Sequence, residues 1–424
     1  MKSFIIRIVP NWILSYYSRL RLRLDYFYYK KRIPGLTRKI FSKEKIKVVF
    51  FPISIGMWKN DYLFKLFLNH PRFEPYIISF FVPVDSSDYQ RRNQQEMRSF
   101  FEGKGYPYID MYNFKTNEWF DINKFNPDLV FYTQAVDVAY PQYKIKALWK
   151  DTLFYYIPYC LIIANEKAGF NTLLFNIAKK VFAQSESIKE YWSSFFLNKA
   201  GNVCVTGYPS FDYLTHPISL KSLKYKKEHN KKIVIWAPHH SIFDNDVFSH
   251  SIFMEIADNM LDLVNKYKDD VHFVFKPHPR LRPKLEQHKD WGVERTCQYY
   301  RFWEEMPNTS LQDGEYFELF LNSDAMIHDC ITFMAEYLLT SKPVLFVCKQ
   351  EAELDLNEYG QGCFNQHYVS HTIESIDDFI SKVVISQNDI NKASREHFVN
   401  EYLLPKNGDL VAENIFKEIC SDLI

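Results

Sequence analysis

Residues 271–280 read VHFVFKPHPR, an apolar run that stops at Lys276-Pro277-His278-Pro279. A short run rich in Val and Phe is typical of a buried strand of a parallel sheet. The two prolines hold His278 in a stiff, non-helical turn directly after that run. The stretch therefore predicts a strand over 271–276 with an imidazole and cationic side chains at its carboxyl end.

Two further stretches repeat this arrangement. The letters PHH at 238–240 follow a strand predicted over 232–237, and HDCIT at 328–332 follows one predicted over 325–328. In an open α/β sheet ligands bind at the carboxyl ends of the strands, so we expect the three motifs to share one site. Imidazoles and Lys for charge, a helix N-terminus for phosphate and a carboxylate for ribose suit a nucleotide diphosphate.

The turn after 271–276 supplies the first group of phosphate-binding candidates. Lys276, His278 and Arg280 are predicted to contact the phosphates of the nucleotide diphosphate, with His278 in the catalytic role of stabilising a diphosphate leaving group. A charge-assisted hydrogen bond contributes roughly 1.5–3 kcal/mol, so two or three directed at developing charge would matter. The alternative is a rigid surface turn with incidental charges.

His239 and His240 are the second group. One of them is predicted to bind phosphate while the other packs or caps the next helix. Adjacent histidines also occur as metal ligands, but no HxxxH pair or matching Cys/Asp set accompanies them. The sequence therefore predicts phosphate contact and no bound metal or cofactor.

The third motif joins a strand to a helix predicted over 332–340. Free N–H groups at the start of a helix attract anions, and Thr332 adds a hydroxyl there. Asp329 is grouped with the phosphate-binding residues, and Glu336 lies one turn beyond Thr332, where it can accept hydrogen bonds from ribose hydroxyls. The alternative is an ordinary N-cap by Asp329 or Thr332 with a solvated Glu336.

The first half of the chain alternates predicted strands with helical segments, which indicates βαβ units and a mostly parallel sheet. A polar, lysine-rich stretch then interrupts the pattern, and a second α/β series follows. Because 424 residues exceed one ordinary core, we expect two domains. The predicted strands are 46–52, 76–82, 107–110, 128–132, 153–157, 180–183, 202–206, 232–237, 271–276, 325–328 and 344–347.

The same pattern predicts helices over 247–267, 316–322 and 374–424. Together these elements divide the chain into a leader, two Rossmann-like domains and a terminal helix. The predicted boundaries are 1–43 for the leader, 44–214 for an acceptor-side domain, 215–232 for the linker, 233–405 for a nucleotide-binding domain and 406–424 for the C-terminal helix.

The leader, 1–43, is basic and aromatic. It holds eleven Lys/Arg and one acid, Asp25, in a chain whose net charge is only +1. It is too broken by Arg7 and Pro10 for the roughly 20 apolar residues of a membrane span, and no signal-peptide cleavage site follows. Such a segment can lie on an anionic membrane surface. The alternatives are a packed helix with solvated charges or a nucleic-acid patch.

The acceptor-side domain has fewer candidates. Asp137, in the loop after 128–132, is predicted to act as general base for an acceptor hydroxyl, although a loop Asp is commonly a turn or cap residue. The loop at Ser54–Gly56 is a weak acceptor-side candidate. Residues 207–212 (GYPSFD) are expected to shape the domain junction. Seven scattered cysteines without a CxxC pair are typical of reduced thiols in a cytosolic protein.

Four segments resemble the CDP-glycerol glycerophosphotransferase family of teichoic-acid and capsule polymerases: VTGYPSFD at 205–212, WAPHHSI at 236–242, FKPHPRL at 275–281 and SDAMIHDCITFMAEYLLTSKPVLF at 323–346. The resemblance covers roughly 125–350. It implies a GT-B fold, in which two Rossmann-like domains with mostly parallel sheets face a cleft.

By this resemblance His278 matches the essential histidine near the donor phosphates, Thr332 the diphosphate-binding hydroxyl and Glu336 the ribose-binding carboxylate. The chain also departs from the family. The His-Gly pair that serves the family as catalytic base falls near Tyr156–Cys160, where this sequence has no histidine.

The resemblance implies a transferase that moves glycerol phosphate, or a related alditol phosphate, from a CDP-linked donor to a lipid-linked cell-surface glycan. We expect it to work in the cytoplasm, peripherally on the inner face of the membrane, with no nucleic-acid partner. The alternatives are a glycosyltransferase or epimerase that uses a nucleotide sugar, and a non-catalytic glycan or membrane adaptor.

Overall fold

The computed structural model describes residues 11–83, 85–134, 140–217, 231–243, 251–349 and 354–424. The chain divides into two compact units. The first holds the described residues up to Cys160 together with Glu166–Tyr208 and Asp409–Ile424, and the second holds Leu161–Asn165 and the described residues from Pro209 to Gly408. The predicted linker at 215–232 stays a prediction, because 218–230 lie outside the described residues.

The first unit is built on a seven-stranded sheet of order β3-β2-β1-β6-β7-β8-β9, in which every pairing is parallel. A separate antiparallel hairpin is formed by β4 and β5. The strands are β1 Ile46–Phe51, β2 Phe73–Ile78, β3 Tyr108–Ile109, β4 Tyr112–Asn113, β5 Glu118–Trp119, β6 Leu129–Tyr132, β7 Leu153–Tyr156, β8 Lys180–Ala183 and β9 Val203–Val205.

Aromatic residues fill the centre of this sheet. Phe50 of β1 stacks on Phe131 of β6 with ring centroids 4.4 Å apart, and Phe131 stacks in turn on Tyr155 of β7 at 5.0 Å. Both β6 and β7 are buried along their whole length. Central strands covered on both faces must be apolar at every position, which is why the sequence shows unbroken runs here.

Helices alternate with the strands of the first sheet along the chain, and two short 3₁₀ turns occur at Ile55–Met57 and Pro141–Tyr143. The helices are Asn11–Lys30, Ile33–Phe41, Asp61–Asn69, Ser87–Gly103, Ile122–Phe125, Ile145–Leu148, Lys167–Phe170, Leu173–Ile177, Glu186–Ser193 and Val411–Leu423.

The second unit is built on a six-stranded, all-parallel sheet of order β12-β11-β10-β13-β14-β15. Its core includes the fully buried Trp236 and Trp303. The strands are β10 Lys232–Ala237, β11 Val271–Phe275, β12 Thr309–Leu311, β13 Ala325–His328, β14 Val344–Val347 and β15 Tyr368–Ser370.

Helices also flank the second sheet. A 3₁₀ turn follows at Tyr337–Thr340, and π-helical turns occur at Phe379–Ile385 and Val399–Leu403. The α-helices are Phe211–Thr215, Phe253–Lys266, Leu281–Gln287, Gly292–Glu305, Phe317–Asn322, Phe333–Glu336, Glu358–Phe364, Ile373–Asp378 and Lys392–Phe398.

Most predicted strands are present, and the differences have local causes. The second strand is Phe73–Ile78 rather than 76–82. The prediction began after Pro75 because proline is uncommon inside a strand. The three-residue edge strands β12 and β15 were not predicted. The helix predicted over 247–267 is Phe253–Lys266 in the described residues, and 244–250 lie outside them.

A five-residue segment, Leu161–Asn165, belongs to the second unit although the residues on either side belong to the first. Asn357 holds it there: its backbone N–H donates to the carbonyl of Ile163 at 2.8 Å, and its amide donates to the carbonyl of Ile162 at 3.1 Å. Gly360 packs directly on Ile163, where an added Cβ would overlap the carbonyl oxygen. A side chain at this glycine cannot fit without moving backbone.

No helix among the described residues is both long enough and apolar enough to cross a bilayer.

Replacing Gly360 by Ala should destabilise the second unit by about 1–3 kcal/mol, because the new methyl group overpacks against backbone that cannot shift freely. Gly35→Ala is the matched control, since it also lies in a helix but has open space around its Cβ position. That change should be neutral or slightly stabilising. Thermal and urea unfolding of both variants measures the difference, and equal midpoints would contradict the close packing.

Candidate functional site

The loops after β10, β11 and β13 meet at one edge of the second sheet. These strands are neighbours, with β10 between the other two. Hydrogen bonding continues past the strand ends: the backbone N–H of Lys276 donates to the carbonyl of Trp236 at 2.8 Å, and that of His278 donates to Pro238 at 3.0 Å. The parallel register therefore brings the three predicted motifs together.

Three imidazoles form the centre of this edge. The ring centroids of His239 and His240 are 4.2 Å apart, those of His240 and His278 are also 4.2 Å apart, and those of His239 and His278 are 5.1 Å apart. All three side chains are half-buried. Lys276 is buried at the end of β11, whereas Arg280 is exposed. We call His239, His240 and His278 the histidine cluster.

Asp329 positions the backbone of His239, one member of the histidine cluster. Its side chain is fully buried at the end of β13. One carboxylate oxygen accepts the backbone N–H of His239, and the other accepts the hydroxyl of Ser251. Asp329 therefore ties the loop after β10 to β13 and to the chain before helix Phe253–Lys266. This is a positioning role, and direct phosphate contact by Asp329 stays a prediction.

The protonation of His278 follows from its surroundings. The backbone N–H of Arg280 donates to Nδ1 of His278 at 3.1 Å. Because Nδ1 accepts a hydrogen bond, the proton of the neutral ring lies on Nε2. Burial, together with the positive charge of His240, Arg280, Lys276 and Lys284, lowers the pKa of His278 to about 3. At neutral pH His278 is therefore an uncharged donor through Nε2–H.

The spacing of the cluster also fits a metal ion, since one nitrogen from each ring lies within 4.8 Å of the others. A metal requires a nitrogen lone pair from each ligand. In the tautomer described above, His278 offers a lone pair only on Nδ1, which already accepts from Arg280. With Lys276 and Arg280 alongside, the electrostatics favour an anion over a cation at this position.

Thr332 follows β13 in the sequence and precedes a shorter helix than expected. It is the N-cap residue of helix Phe333–Glu336, its hydroxyl makes no capping hydrogen bond, and it contacts Sγ of Cys330 at 3.5 Å. The prediction of one α-helix over 332–340 is wrong in its second half, which is a 3₁₀ turn. Because so few peptides are aligned, the helix dipole adds little here, and the Thr332 hydroxyl is the group left for phosphate.

Glu336, the predicted ribose ligand, is a buried carboxylate within the second unit. Oε1 accepts the hydroxyl of Ser210 at 2.6 Å, and Oε2 accepts that of Tyr316 at 2.8 Å. The solvated alternative is therefore wrong. A carboxylate oxygen can accept more than one hydrogen bond, so a ribose contact at Glu336 stays a prediction.

The candidates of the first unit are less completely described. Asp137, the predicted base, lies outside the described residues. In the same loop, Thr133 is buried and donates to the carbonyl of Phe51 at 3.3 Å. In the Tyr156–Cys160 stretch, the carbonyl of Tyr159 accepts the hydroxyl of Tyr208 at 2.6 Å.

Three buried polar residues after β1 were missed by sequence reasoning, which stopped at Ser54–Gly56. Lys59, Asn60 and Asp61 are all buried. Asp61 accepts the indole N–H of Trp58 at 2.6 Å and the ammonium group of Lys104. The available signal was three successive polar residues, KND, directly before an apolar helix.

Comparison with known proteins places these features in context. The profile of the family "CDP-Glycerol:Poly(glycerophosphate) glycerophosphotransferase" matches residues 166–419, more than half of the chain. A teichoic acid poly(ribitol-phosphate) polymerase of Bacillus spizizenii is 24% identical over 261 residues, which are 56% of this chain and 39% of that protein. The chain thus spans about two fifths of the length of this curated relative.

Solved structures share the fold over nearly the whole chain. MnaA of S. aureus with UDP is 15% identical at a TM-score of 0.57, over 90% of this chain and 98% of that one. A variant of the wall teichoic acid polymerase TagF is 12% identical at a TM-score of 0.53, over 95% and 99%. The UDP-GlcNAc 2-epimerase of Neisseria meningitidis is 15% identical at a TM-score of 0.56, over 89% and 100%.

These likenesses confirm the predicted GT-B fold class, with two Rossmann-like units and mostly parallel sheets. The family profile includes all three motifs at the edge of the second sheet. The chain belongs to the CDP-glycerol:poly(glycerophosphate) glycerophosphotransferase family.

Proposed function

We propose that this chain transfers an alditol phosphate, glycerol phosphate or a longer homologue, from a CDP-linked donor to a hydroxyl of a lipid-linked cell-surface glycan. The observation that carries the proposal is the histidine cluster beside Lys276 and Arg280, in a chain of this family. Similarity to a teichoic acid poly(ribitol-phosphate) polymerase supports a polymer of the teichoic acid class. The enzyme would act at the cytoplasmic face of the membrane.

In this transfer the acceptor oxygen forms a bond to the phosphorus that carries the alditol. The bond from that phosphorus to the oxygen of CMP breaks, and its electron pair leaves with CMP. The acceptor proton passes to a base of the first unit, for which Asp137 is our candidate. Lys276 and Arg280 would neutralise the charge that develops on CMP, and Nε2–H of His278 would donate to it.

Other residues would bind the diphosphate and the ribose of the CDP-linked donor. His239, His240 and the Thr332 hydroxyl would hold the diphosphate, and Glu336 would hold the ribose. Two contacts support this assignment: Asp329 holds the backbone of His239, and Ser210 and Tyr316 hold the carboxylate of Glu336. Hydrogen-bonding groups that are already in position stabilise a transition state best, because they need no reorganisation during the reaction.

Two other functions share some of these features. MnaA and the Neisseria meningitidis epimerase have the same fold, and their structures hold UDP and UDP-GlcNAc, so a nucleotide-sugar enzyme is the second candidate. A non-catalytic adaptor is the third, favoured by the absence of histidine from Tyr156–Cys160.

We also propose that the helix Asn11–Lys30 binds an anionic membrane surface. Large apolar side chains along it are 43–67% exposed, and at 100° per residue they fill an arc of roughly 120°. The opposite face is buried: Tyr29 donates its hydroxyl to the carbonyl of Thr152 at 2.6 Å. The exposed apolar residues are Tyr16, Tyr17, Leu20, Leu24, Phe27 and Tyr28.

Basic side chains border this apolar arc. Arg19, Arg23 and Lys30 lie along one edge of it and Arg21 along the other, all exposed. In a helix that lies on a membrane surface, apolar side chains enter the interface, and basic side chains on either side of them bind lipid phosphates. The helix Asn11–Lys30 has this arrangement. The packed helix expected as an alternative is present as well, since the buried face holds the helix on the first unit. The predicted leader residues 1–10 lie outside the described part.

The donor prediction is that the purified chain, given a lipid-linked glycan acceptor and anionic vesicles, releases CMP from CDP-glycerol or CDP-ribitol. Under the same conditions UDP-GlcNAc and GDP-sugars should give no free nucleotide. Chromatography of the released nucleotide measures this. Release of UDP would support the nucleotide-sugar enzyme, and release of no nucleotide from any donor would support the adaptor.

His278→Gln and His278→Asn should separate the two nitrogens of this ring. Gln places an N–H donor near the position of Nε2, whereas Asn keeps only a group near Nδ1. Loss of one hydrogen bond to a charged group costs about 1.5–3 kcal/mol. We therefore expect Asn to weaken CDP binding about 10- to 100-fold and Gln to retain most of it, by calorimetry.

The pH dependence of CDP binding gives an independent check on His278. Because its pKa is held near 3, its ring should not titrate between about pH 5 and 8. CDP affinity lost on lowering the pH to 5 should therefore be the same in wild type and His278→Gln. A loss or gain present only in wild type would show that His278 itself titrates in this range.

Membrane binding should depend on the apolar arc. The triple change Leu20→Ser, Leu24→Ser, Phe27→Ser should abolish cosedimentation with phosphatidylglycerol vesicles, because each lost apolar side chain removes about 1.5–3 kcal/mol of burial. A matched control changes three apolar residues of the second unit that are 61–76% exposed, Val293, Ile390 and Tyr402, to Ser. Equal loss in both triples, or equal binding of wild type to neutral vesicles, would refute the assignment.

A further inference from the structure

A cavity of about 350 Å³ lies next to the histidine cluster within the second unit. Its wall includes Ser241, Ser251, Glu255, His288 and Lys349. Ligand pockets typically measure about 300–1,000 Å³, so the space is sufficient for a small polar molecule or for one end of a larger one. Nothing in the transfer described above uses these side chains except Ser251, which helps to orient Asp329.

Two serines connect the cavity to the site. Ser241 Oγ lies 2.9 Å from Nδ1 of His239, and Ser251 donates its hydroxyl to Asp329. Both serines are buried, and both line the cavity. Because Ser241 contacts His239 and also lines the cavity, a ligand whose phosphates lie at the cluster can extend into the cavity.

The aromatic residues of the wall already have partners on their faces. Phe243 stacks on His288 with ring centroids 5.4 Å apart, and the ammonium group of Lys284 lies 5.6 Å from the centroid of the Phe243 ring. The guanidinium of Arg295 lies 4.5 Å above Trp291. A nucleobase binds by stacking on an aromatic face, so these occupied faces argue against the cytosine ring as the occupant.

The polar groups of the wall include both hydrogen-bond donors and acceptors. Lys349 and Glu255 form an ion pair at 3.0 Å, and both side chains remain about half exposed. His288 accepts the backbone N–H of Asp290 at Nδ1, at 3.2 Å, so its Nε2 carries a proton that it can donate. A chain of hydroxyl groups, each of which both donates and accepts, is the chemistry that such a wall satisfies.

We propose that this cavity binds the polyol end of the donor, the alditol phosphate that is transferred. This proposal rests on the proposed function and deepens it, because it assigns the selection of alditol length to the wall of the cavity. Glu255 and Lys349 bind the terminal hydroxyls, and Ser241 lies between the polyol and the phosphates. A five-carbon alditol has more hydroxyl groups than glycerol to bond with this polar wall, so CDP-ribitol is the favoured donor.

The experiment compares the affinities of CDP, CDP-glycerol and CDP-ribitol for the full chain by calorimetry. The double change Glu255→Ala, Lys349→Ala removes the ion pair of the wall. The control double change, Asp378→Ala with Lys382→Ala, removes an exposed ion pair of similar length, 2.8 Å, elsewhere in the same unit. Circular dichroism verifies that both variants are folded.

We expect the Glu255/Lys349 variant to lose about 10-fold in CDP-ribitol affinity, as for one or two hydrogen bonds to charged groups, while CDP affinity stays within about two-fold. The control should match wild type for all three ligands. An equal loss for CDP would mean that the cavity holds the nucleoside and would overturn the proposal, as would no change for any ligand. Wild-type chain that binds none of the three would contradict the proposed function itself.

Discussion

The buried carboxylate of Asp329 is the contact on which the candidate site depends. It accepts the backbone N–H of His239 and the hydroxyl of Ser251, and so it joins the end of β13 to two segments that lie 90 and 78 positions earlier in the sequence. A buried carboxylate is stable only when hydrogen bonds replace its hydration. These two bonds position one member of the histidine cluster and one residue of the adjoining cavity wall.

The anion site combines fixed charge with an uncharged donor. Lys276 and Arg280 provide positive charge, while burial and those same cations keep His278 neutral. The backbone N–H of Arg280 then selects which nitrogen keeps the proton. Such a ring donates its hydrogen bond through Nε2 without a change of charge across the physiological pH range, whereas a histidine with its ordinary pKa changes charge within that range.

Much of the fold could be predicted because its strands are buried on both faces. Runs such as IVIWA in β10 and VFA in β8 are apolar at every position, which is typical of strands of a parallel sheet covered on both faces. The misses share one cause, which is weak local signal. Edge strand β12 pairs on one side only, and the 3₁₀ turn after Glu336 differs from an α-helix by a single change of hydrogen-bond partner.

The sequence by itself determined which strands end in chemistry: Lys276, His278, His239, His240, Asp329 and Thr332 all follow apolar runs, and strand-end position is a local property. The tertiary structure alone decided what these residues do for each other. It placed His278 beside His240, gave Asp329 a positioning role, and buried Glu336 between Ser210 and Tyr316. Contacts between residues many positions apart depend on strand order and register, which no local pattern encodes.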